Sequence, residues 1–363
     1  MDVNDTPDFD AHEAVRLFEF EDLGATAIVA IHSTHRGPAA GGCRLWRYPA
    51  PAQALTDALR LSRGMSYKNA LADLPLGGGK AVIVPPEGPF DRRALFEAFG
   101  RAVDSLHGLY VTAEDVGTSV ADMEVVSRQT PHVRGLPPVG AAAAGDPSPW
   151  TALGVFLSIE AALNWRTGRS LADARITVQG VGAVGADLCR RLAAAGARVT
   201  VADIDFARAV AVAERAGAYV VEPQDAHRLE ADVFAPCALG AGLNTAVVGE
   251  LAAPIVCGAA NNQLATPAIG AALSRRGVLY CPDYVVNAGG IISVYGEGAS
   301  EDIAQVEARV RAIPGRLTGI FQSAERSGAP PEDVADSIAR ERIGRGRSSD
   351  RAAVALAGTA RVR

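Results

Sequence analysis

Residues 175–203 restrict the possible folds of this chain more than any other stretch. They contain an apolar strand, RITVQ, then GVGAVG, a helical segment, a second apolar strand, VTVA, and an acid at Asp203. Glycines at this spacing allow a tight turn and a close approach to a pyrophosphate, the helix N-terminus stabilises phosphate charge, and the acid binds ribose hydroxyls. The order predicts a βαβ unit of a parallel sheet with a dinucleotide site; the alternative is a purely structural glycine-rich turn.

The acid after the second strand also bears on the choice of dinucleotide. A carboxylate at Asp203 would repel the 2′-phosphate of NADP, which favours NAD as the cofactor. The other candidate cofactor residues of this unit form the turn itself: Gly180, Val181, Gly182, Ala183, Val184 and Gly185.

Later apolar strands end in loops of small residues. In a parallel sheet these loops lie at the carboxyl edge, where ligands bind. Each asparagine there could instead be a turn residue that satisfies its own backbone. The positions of interest on this edge are Cys237, Ala238, Asn261, Asn262 and Asn287.

The N-terminal part combines strands and helices in a different order. Residues 15–34 predict a β-hairpin with a turn around Leu23-Gly24, and apolar residues at helical spacing predict a helix from Pro51 to about Asp73. A glycine loop, LPLGGG, then precedes Lys80 and the strand AVIVPP, so Lys80 is expected where a loop meets a strand. Paired Gly41-Gly42 marks either a close approach to a ligand or an ordinary turn.

These patterns predict an α/β protein of two domains with a cleft between them. Residues 131–149 are rich in Pro, Gly and Ala without periodicity, which is typical of a domain boundary. We expect an N-terminal mixed α/β domain over 1–145, joined by the C-terminal segment 336–363. A Rossmann-like domain is expected over 150–335.

The chain contains only two lysines, Lys68 and Lys80, because 33 of its 35 basic residues are arginine. Arginine stays protonated, whereas a partly buried lysine beside other cations can be tuned toward neutrality and act as a base. Asp115 follows a predicted strand and precedes Gly117, which is a common place for a catalytic carboxylate in α/β proteins. The alternative for Asp115 is N-capping of the helix that starts near Ser119.

Composition argues against several classes of protein. The formal charge of −6 and the absence of a basic cluster before residues 340–347 argue against a nucleic-acid partner. Five scattered cysteines fit reduced thiols, and their spacing predicts no metal site. The N-terminus lacks an apolar leader and no run is long enough for a membrane helix, so a cytoplasmic location is expected.

Many segments in order resemble the glutamate, leucine, phenylalanine and valine dehydrogenase family, most closely its leucine dehydrogenase branch. They include GPAAGGCRLW, RLSRGMSYKNA, LPLGGGK, TAEDVGT, VQGVGAVG, GAANNQL and YCPDYVVNAGG. The resemblance implies NAD-dependent oxidative deamination of an L-amino acid to its 2-oxo acid and ammonia, which is reversible. It also implies a homo-oligomer.

The same resemblance implies roles for individual residues. Lys80 would be the base that activates water against an iminium intermediate, with Asp115 as its proton-transfer partner. Lys68 would bind the substrate carboxylate with Asn262 and the backbone of Gly42. Thr151 and Asn261 would hold the nicotinamide end.

The side-chain pocket gives opposing indications about the substrate. The resemblance places Ala40, Ala113, Ile291 and Val294 in its lining. Ala40 enlarges the pocket as in phenylalanine enzymes, whereas Ile291 and Val294 are bulkier than the phenylalanine pattern. Pocket space worth one methylene changes discrimination by only about 1–3 kcal/mol, so these opposed changes do not decide the substrate. Branched-chain aliphatic acids are the first expectation and phenylalanine the second. A protein of another class, a non-catalytic NAD or amino-acid sensor, is the remaining alternative.

Overall fold

A computed structural model describes residue 3 and residues 6–137, 145–238 and 240–345. The chain forms two compact units. The first contains Met1–Asp146, Val294–Ile303 and Ile338–Arg363, and the second contains Pro147–Ser293 and Ala304–Ser337. Within the described ranges, no helix has the length and apolar character needed to cross a membrane.

The first unit is built on a mixed six-stranded sheet. Its strands run in the order β1-β2-β5-β3-β6, and β4 pairs with β5. β1 and β2 form the predicted antiparallel hairpin, whose turn ends at Gly24 with a positive φ of 58°. The strands are β1 (Ala14–Phe20), β2 (Ala25–Ser33), β3 (Ala39–Ala40), β4 (Cys43–Leu45), β5 (Gly77–Val84) and β6 (Tyr110–Val111).

Helices cover both faces of this sheet. The predicted helix after Pro51 is confirmed as α1 and packs on β2 and β5, where its small residues Ala54 and Ala58 are fully buried. The opposite face buries Phe18 of β1 against Phe96 and Phe99. The helices are α1 (Pro51–Leu71), α2 (Arg92–Asp104) and α3 (Val120–Ser127).

The glycine run before Lys80 is not a loop, contrary to the sequence prediction. Gly77, Gly78 and Gly79 lie within β5, where Gly78 and Gly79 pair with Ser33 and Ile31 of β2. A Cβ on Gly78 would lie 2.0 Å from the backbone nitrogen of Ser66 on α1, and one on Gly79 would lie 2.8 Å from the Tyr110 ring. The glycines therefore let a helix and an aromatic ring approach the strand closely.

The second unit contains the predicted parallel sheet. Its six strands run in the order β12-β11-β10-β7-β8-β9, and every pair is parallel. They are β7 (Arg175–Gln179), β8 (Arg198–Ala202), β9 (Tyr219–Val220), β10 (Val233–Pro236), β11 (Ile255–Val256) and β12 (Leu279–Tyr280). From β7 the chain adds β8 and β9 on one side of the sheet and then β10, β11 and β12 on the other, which is the doubly wound pattern. This pattern leaves a crevice at the carboxyl ends of the strands beside the glycine-rich turn.

Helices connect these strands and continue toward the C-terminus. α10 and α13 each pass from one unit into the other. The helices are α4 (Ser148–Thr167), α5 (Ala183–Ala194), α6 (Phe206–Ala216), α7 (Thr245–Glu250), α8 (Ala268–Arg275), α9 (Asp283–Val286), α10 (Gly289–Gly298), α11 (Ile303–Arg311), α12 (Ile313–Ser327) and α13 (Pro331–Arg342).

Candidate active site

Lys80 and Asp115 form an ion pair in the first unit. Lys80 stands in the middle of β5 opposite Ala30 of β2, and it is only 5% exposed. Its Nζ contacts Oδ2 of Asp115, which lies in the loop after β6. A buried ammonium requires such a partner because an uncompensated charge away from water is strongly unfavourable. Two residues singled out in the sequence on separate grounds are thus in direct contact.

Local hydrogen bonds fix the loop that carries Asp115. The Asp115 N–H donates to Thr118 Oγ1 at 2.8 Å, and the Thr118 hydroxyl lies within donating distance of Cys43 O at 3.1 Å. The helix that follows begins after Ser119, whose N–H and hydroxyl donate to Asp122 Oδ2 at 2.8 Å and 2.7 Å. The alternative assignment of Asp115 as a helix N-cap is therefore wrong, and its carboxylate is directed to the site.

Arg44 of β4 is a third charged residue of this site, and no sequence pattern indicated it. Its Nε lies 3.5 Å from Asp115 Oδ2, the same oxygen that Lys80 contacts. Its Nη1 donates to Asp57 Oδ2 at 2.7 Å, and that oxygen also accepts a 2.5 Å hydrogen bond from the Tyr48 hydroxyl. The cation is thus held between two carboxylates.

These charges determine the ionisation of Asp115. Burial alone would raise its pKa, but the charges of Lys80 and Arg44 outweigh burial and lower the pKa to about 2. Asp115 is therefore a carboxylate at every working pH.

Two further polar groups beside the pair stay neutral. Burial raises the pKa of the Cys43 thiol to about 12, and it raises the pKa of Tyr110 well above its usual value. The Tyr110 hydroxyl donates to Gly41 O at 2.5 Å. Neither group competes with Lys80 for a proton near neutral pH.

Gly42, Ala40 and Ala113 lie on neighbouring segments around the pair. A Cβ on Gly42 would lie 2.4 Å from Glu114 O and 2.9 Å from Asp115 Cβ. Ala40 ends β3, and the carbonyl of Ala113 accepts a 2.8 Å hydrogen bond from the Cys43 N–H. The need for glycine at position 42 is explained by this packing, and its contact with a substrate stays a prediction.

Lys68 lies near the end of α1 and is 9% exposed. Its helix is anchored two residues earlier, where Ser66 packs directly on Gly78 of β5 and its Oγ hydrogen-bonds His32 Nδ1 at 2.8 Å. The packing of α1 on β5 therefore fixes where both lysines of the chain lie in the first unit.

In the second unit, the three glycines of the turn have distinct structural roles. Gly180 has a positive φ of 96°, and a Cβ on it would lie 2.5 Å from the Ala238 nitrogen. A Cβ on Gly185 would lie 2.0 Å from Gly180 O, whereas one on Gly182 would meet no protein atom within 4 Å. Gly182 directly precedes α5, so open space lies at that helix N-terminus, which fits the pyrophosphate of a dinucleotide.

Asp203 is tied to this turn. Its Oδ2 accepts a 2.8 Å hydrogen bond from the Val181 N–H, and its Oδ1 accepts one of 2.9 Å from the Asp205 N–H. It is 8% exposed, and Arg208 Nη1 lies 3.7 Å from Oδ1. Asp203 thus stabilises the turn between β7 and α5. Arg208 is a nearby cation that the sequence pattern did not predict.

Two of the three asparagines at the carboxyl edge, Asn261 and Asn287, are hydrogen-bonded to each other. Asn287 Nδ2 donates to Ala259 O and to Asn261 Oδ1, both at 3.0 Å. Asn262 has a positive φ of 50°, which fits the alternative that it is a turn residue. The Cys237 N–H donates to Gln179 O at 2.7 Å, which places the end of β10 beside the end of β7.

The remaining candidate residues of this region lie on helices. Thr151 is in the first turn of α4, and its hydroxyl donates to Pro147 O at 3.3 Å. Ile291 and Val294 lie three residues apart on α10, and both are half-buried. Of the predicted turn positions, Ala183 and Val184 begin α5.

Comparison with known proteins identifies the matching family. Residues 12–132 match the model of the Glu/Leu/Phe/Val dehydrogenase dimerisation domain, and residues 204–327 match that of Glutamate/Leucine/Phenylalanine/Valine dehydrogenase. Together these matches span most of the described chain.

Individual relatives cover nearly the whole chain. A leucine dehydrogenase of Geobacillus stearothermophilus is 42% identical over 333 residues, covering 92% of this chain and 90% of the relative. A valine dehydrogenase of Streptomyces coelicolor is 44% identical over 340 residues, 93% of each. The crystal structure of L-tryptophan dehydrogenase from Nostoc punctiforme superposes with a TM-score of 0.77 at 41% identity, covering 92% of this chain and 96% of that one.

Proposed function

This chain belongs to the Glu/Leu/Phe/Val dehydrogenase family, and from that premise we propose that it oxidatively deaminates branched-chain L-amino acids with NAD. It is an amino-acid dehydrogenase that uses NAD or NADP, as its relatives of 40–44% identity indicate. The observation that carries the proposal is the buried Lys80–Asp115 ion pair in a chain with only two lysines.

The proposed chemistry assigns one proton to this pair. The bound dinucleotide supplies the hydride acceptor. Lys80, once it has lost its proton, takes one from the water that attacks the substrate iminium carbon. Asp115 stays ionised and stabilises the Lys80 ammonium that forms, and this ammonium returns the proton to the nitrogen that leaves as ammonia. Lys80, neutral again, accepts the remaining hydroxyl proton as the C–N bond breaks and the carbonyl forms. Because Lys80 must be unprotonated to act as a base, the rate of deamination should rise toward alkaline pH.

Binding roles are proposed for the residues around the pair. Lys68 would stay charged and bind the substrate carboxylate together with Asn262 and the Gly42 backbone. The open helix N-terminus at Gly182 would hold the pyrophosphate. Thr151, Asn261 and Asn287 would hold the nicotinamide end, with Cys237 and Ala238 beside the turn.

Substrate preference rests on the named activities of the relatives and on the bulk of Ile291 and Val294. We expect kcat/KM for leucine or valine to exceed that for phenylalanine at least several-fold, because about 1–3 kcal/mol of pocket discrimination corresponds to roughly 10- to 200-fold. Initial rates across a panel of L-amino acids at alkaline pH test this. A higher kcat/KM for phenylalanine than for both aliphatic acids would refute the branched-chain assignment.

The same panel separates an enzyme from a sensor. A sensor would bind NAD and an amino acid without turnover, so a zero rate with every amino acid, together with retained NAD binding, would favour it. The Lys80–Asp115 pair supports the enzyme, since a binding protein in an arginine-rich chain has no need of a lysine at that position.

NAD rather than NADP is proposed because a carboxylate lies at Asp203. Arg208, 3.7 Å away and half exposed, offers the competing possibility of a partner for a 2′-phosphate. We expect kcat/KM with NAD to exceed that with NADP at least about tenfold, which corresponds to about 1.4 kcal/mol. Faster turnover with NADP, lost in Arg208→Gln, would reverse the assignment.

Two broader features belong to the same proposal. The dimerisation domain matched by residues 12–132 supports a homo-oligomer. All five cysteines are unpaired, which suits a reducing compartment such as the cytoplasm.

A further inference from the structure

One carboxylate oxygen faces two cations in the first unit. Asp115 Oδ2 contacts Lys80 Nζ and lies 3.5 Å from Arg44 Nε. Arg44 Nε is buried and makes no hydrogen bond, and the carboxylate oxygen 3.5 Å from it is the one that Lys80 contacts. The same Asp115 oxygen therefore interacts with two cations, Lys80, which can lose its proton, and Arg44, which cannot.

This arrangement matters when Lys80 loses its proton. The Asp115 side chain is 17% exposed, and a carboxylate so placed without a cation is strongly destabilised. It would then either take up a proton or turn away from the site. Arg44 cannot lose its proton at an accessible pH, so its charge remains beside Asp115 after the Lys80 charge has gone.

Arg44 is itself held in place from the other side. Asp57 of α1 accepts its Nη1 at 2.7 Å, and the Tyr48 hydroxyl donates to the same Asp57 oxygen. Burial first, and then Asp57, raise the pKa of Tyr48, so Tyr48 remains a neutral donor. Asp57 thus holds Nη1 of the Arg44 guanidinium, while its Nε stays beside Asp115.

We propose that Arg44 is a positioning residue that keeps Asp115 ionised and in place when Lys80 gives up its proton. Arg44 also supplies a positive charge beside Lys80 that favours the neutral amine. Its importance in turnover rests on the proposed function, whereas its electrostatic effect on Lys80 can be measured without turnover.

The other groups that face Lys80 do not supply this effect. Cys43 of β4 and Tyr110 of β6 are neutral because burial raises the pKa of each. On α1, which packs on β5, the charged residues of the site are Asp57 and Lys68. Removal of Arg44 therefore removes the permanent cation that shares Asp115 Oδ2 with Lys80.

The two-lysine composition makes the test direct. Protein labelled with ¹³C at lysine Cε gives two lysine signals, which Lys68→Arg assigns. We expect Arg44→Gln to raise the titration midpoint of Lys80 by about one pH unit or more, a tenfold change in proton affinity, because a nearby positive charge is lost. Asp57→Asn should lower the midpoint, since it removes a negative charge and releases Arg44 toward Asp115.

Opposite shifts distinguish this role from general disturbance of the site. Opening of the site to water would move the Lys80 midpoint in the same direction in both variants. The matched control Arg93→Gln removes an equal charge from α2, where Arg93 pairs with Glu97, and should leave Lys80 unchanged. An unchanged or lowered midpoint in Arg44→Gln, or shifts of equal sign in both variants, would overturn the proposal.

Two further arrangements keep the test decisive. If Arg44→Gln does not fold, Arg44→Met, which keeps much of the side-chain length and removes the charge, takes its place: a raised Lys80 midpoint supports the role of Arg44, and an unchanged or lowered one overturns it. In kinetics, the acid limb of the kcat/KM profile of Arg44→Gln should move to higher pH by the same amount. An activity loss without movement of that limb would indicate a merely structural residue.

Discussion

At the scale of residues, the proposed mechanism depends on a proton that Lys80 gives up and takes back. Asp115 cannot hold it, because its pKa lies at about 2, and neighbouring Cys43 and Tyr110 retain their own protons. The composition of the chain is enough to indicate Lys80, since lysine is rare in it. Arg44 gives no comparable signal because one arginine among 33 is not conspicuous.

The substitution Lys80→Arg keeps the positive charge and removes the side chain that we propose as the base. We expect kcat to fall at least about 100-fold, the lower end of the range for general-base catalysis, with NAD binding retained. Steady-state rates and a dinucleotide titration measure the two effects. The matched control is Lys68→Arg, which should act mainly on KM because its role needs only charge. Comparable activity in Lys80→Arg would show that Lys80 is not the base.

The dinucleotide turn was predictable at the scale of elements, whereas the glycine run of β5 was not. Strand, turn, helix and acid follow one another within about 30 residues, so local sequence specifies them. The glycines of β5 instead accommodate groups on other elements that pack against the strand, Ser66 on α1 and Tyr110 on β6. A glycine run by itself predicts a loop, and only the tertiary contact makes it a strand.

Gly78→Ala should therefore disturb the position of α1 on β5. The added Cβ would lie 2.0 Å from the Ser66 backbone nitrogen, which no side-chain rotation can relieve. We expect the free energy of unfolding to fall by about 2 kcal/mol or more, as in overpacked cores. The control Gly319→Ala on α12 meets no atom within 4 Å and should instead stabilise by about 0.5–1 kcal/mol. Urea denaturation compares them; equal effects would contradict the close-packing argument.

Two glycines of the turn should respond differently to the same substitution. The Cβ that Gly182→Ala adds has no protein atom within 4 Å, so the unfolding temperature should change little. The same Cβ lies where the pyrophosphate is proposed to bind, so the Kd for the dinucleotide should rise at least about tenfold. Gly185→Ala places a Cβ 2.0 Å from Gly180 O and should destabilise the fold. Thermal unfolding and NAD titration separate the two. Unchanged NAD affinity in Gly182→Ala would show that the pyrophosphate does not bind at this turn.

At the scale of the whole molecule, the two units carry opposite sensitivities to pH. The first contains buried His12 and His32; burial is the main cause that lowers their pKa values to about 3 and about 4. The second contains Glu332, whose pKa burial raises to about 7. Neither carboxylate oxygen of Glu332 accepts a hydrogen bond from another residue.

The histidines should make the first unit sensitive to acid. A depressed folded-state pKa means that the unfolded chain binds more protons, so stability is lost as pH falls from about 6.5 toward 4. His32 must stay neutral because its Nε2 accepts from Arg345 Nη1 at 2.8 Å while Nδ1 faces Ser66. His32→Gln should weaken the pH dependence of unfolding in this range. An equally steep dependence in the variant would exclude His32 as its source.

Glu332 should make the second unit sensitive to alkali. A raised folded-state pKa means that the native state binds more protons, so stability declines between about pH 4.5 and 7 and stays low above 7. Glu332→Gln should raise the unfolding temperature at pH 8 with little effect at pH 4. The exposed control Glu325→Gln on α12 should change neither. A gain for Glu332→Gln at both pH values would point to packing rather than charge.

The chain's overall organisation was predictable only in outline. The order of predicted strands and helices identified the parallel sheet. The contacts that return the C-terminal residues to the first unit, Arg340 with Asp10 at 2.8 Å and Arg345 with the Ala11 carbonyl, span more than 300 residues. No local pattern encodes such pairs, because they depend on how the whole chain closes.

The two buried lysines also make the first unit a selective substrate for proteolysis. A protease that cleaves only after lysine has two sites in the chain, before Asn69 and before Ala81, and both of these residues are fully buried. Cleavage thus requires α1 or β5 to open, while every other part of the chain is resistant whether folded or not. The rate of cutting under native conditions would report the opening of β5 and α1 rather than of other parts of the chain.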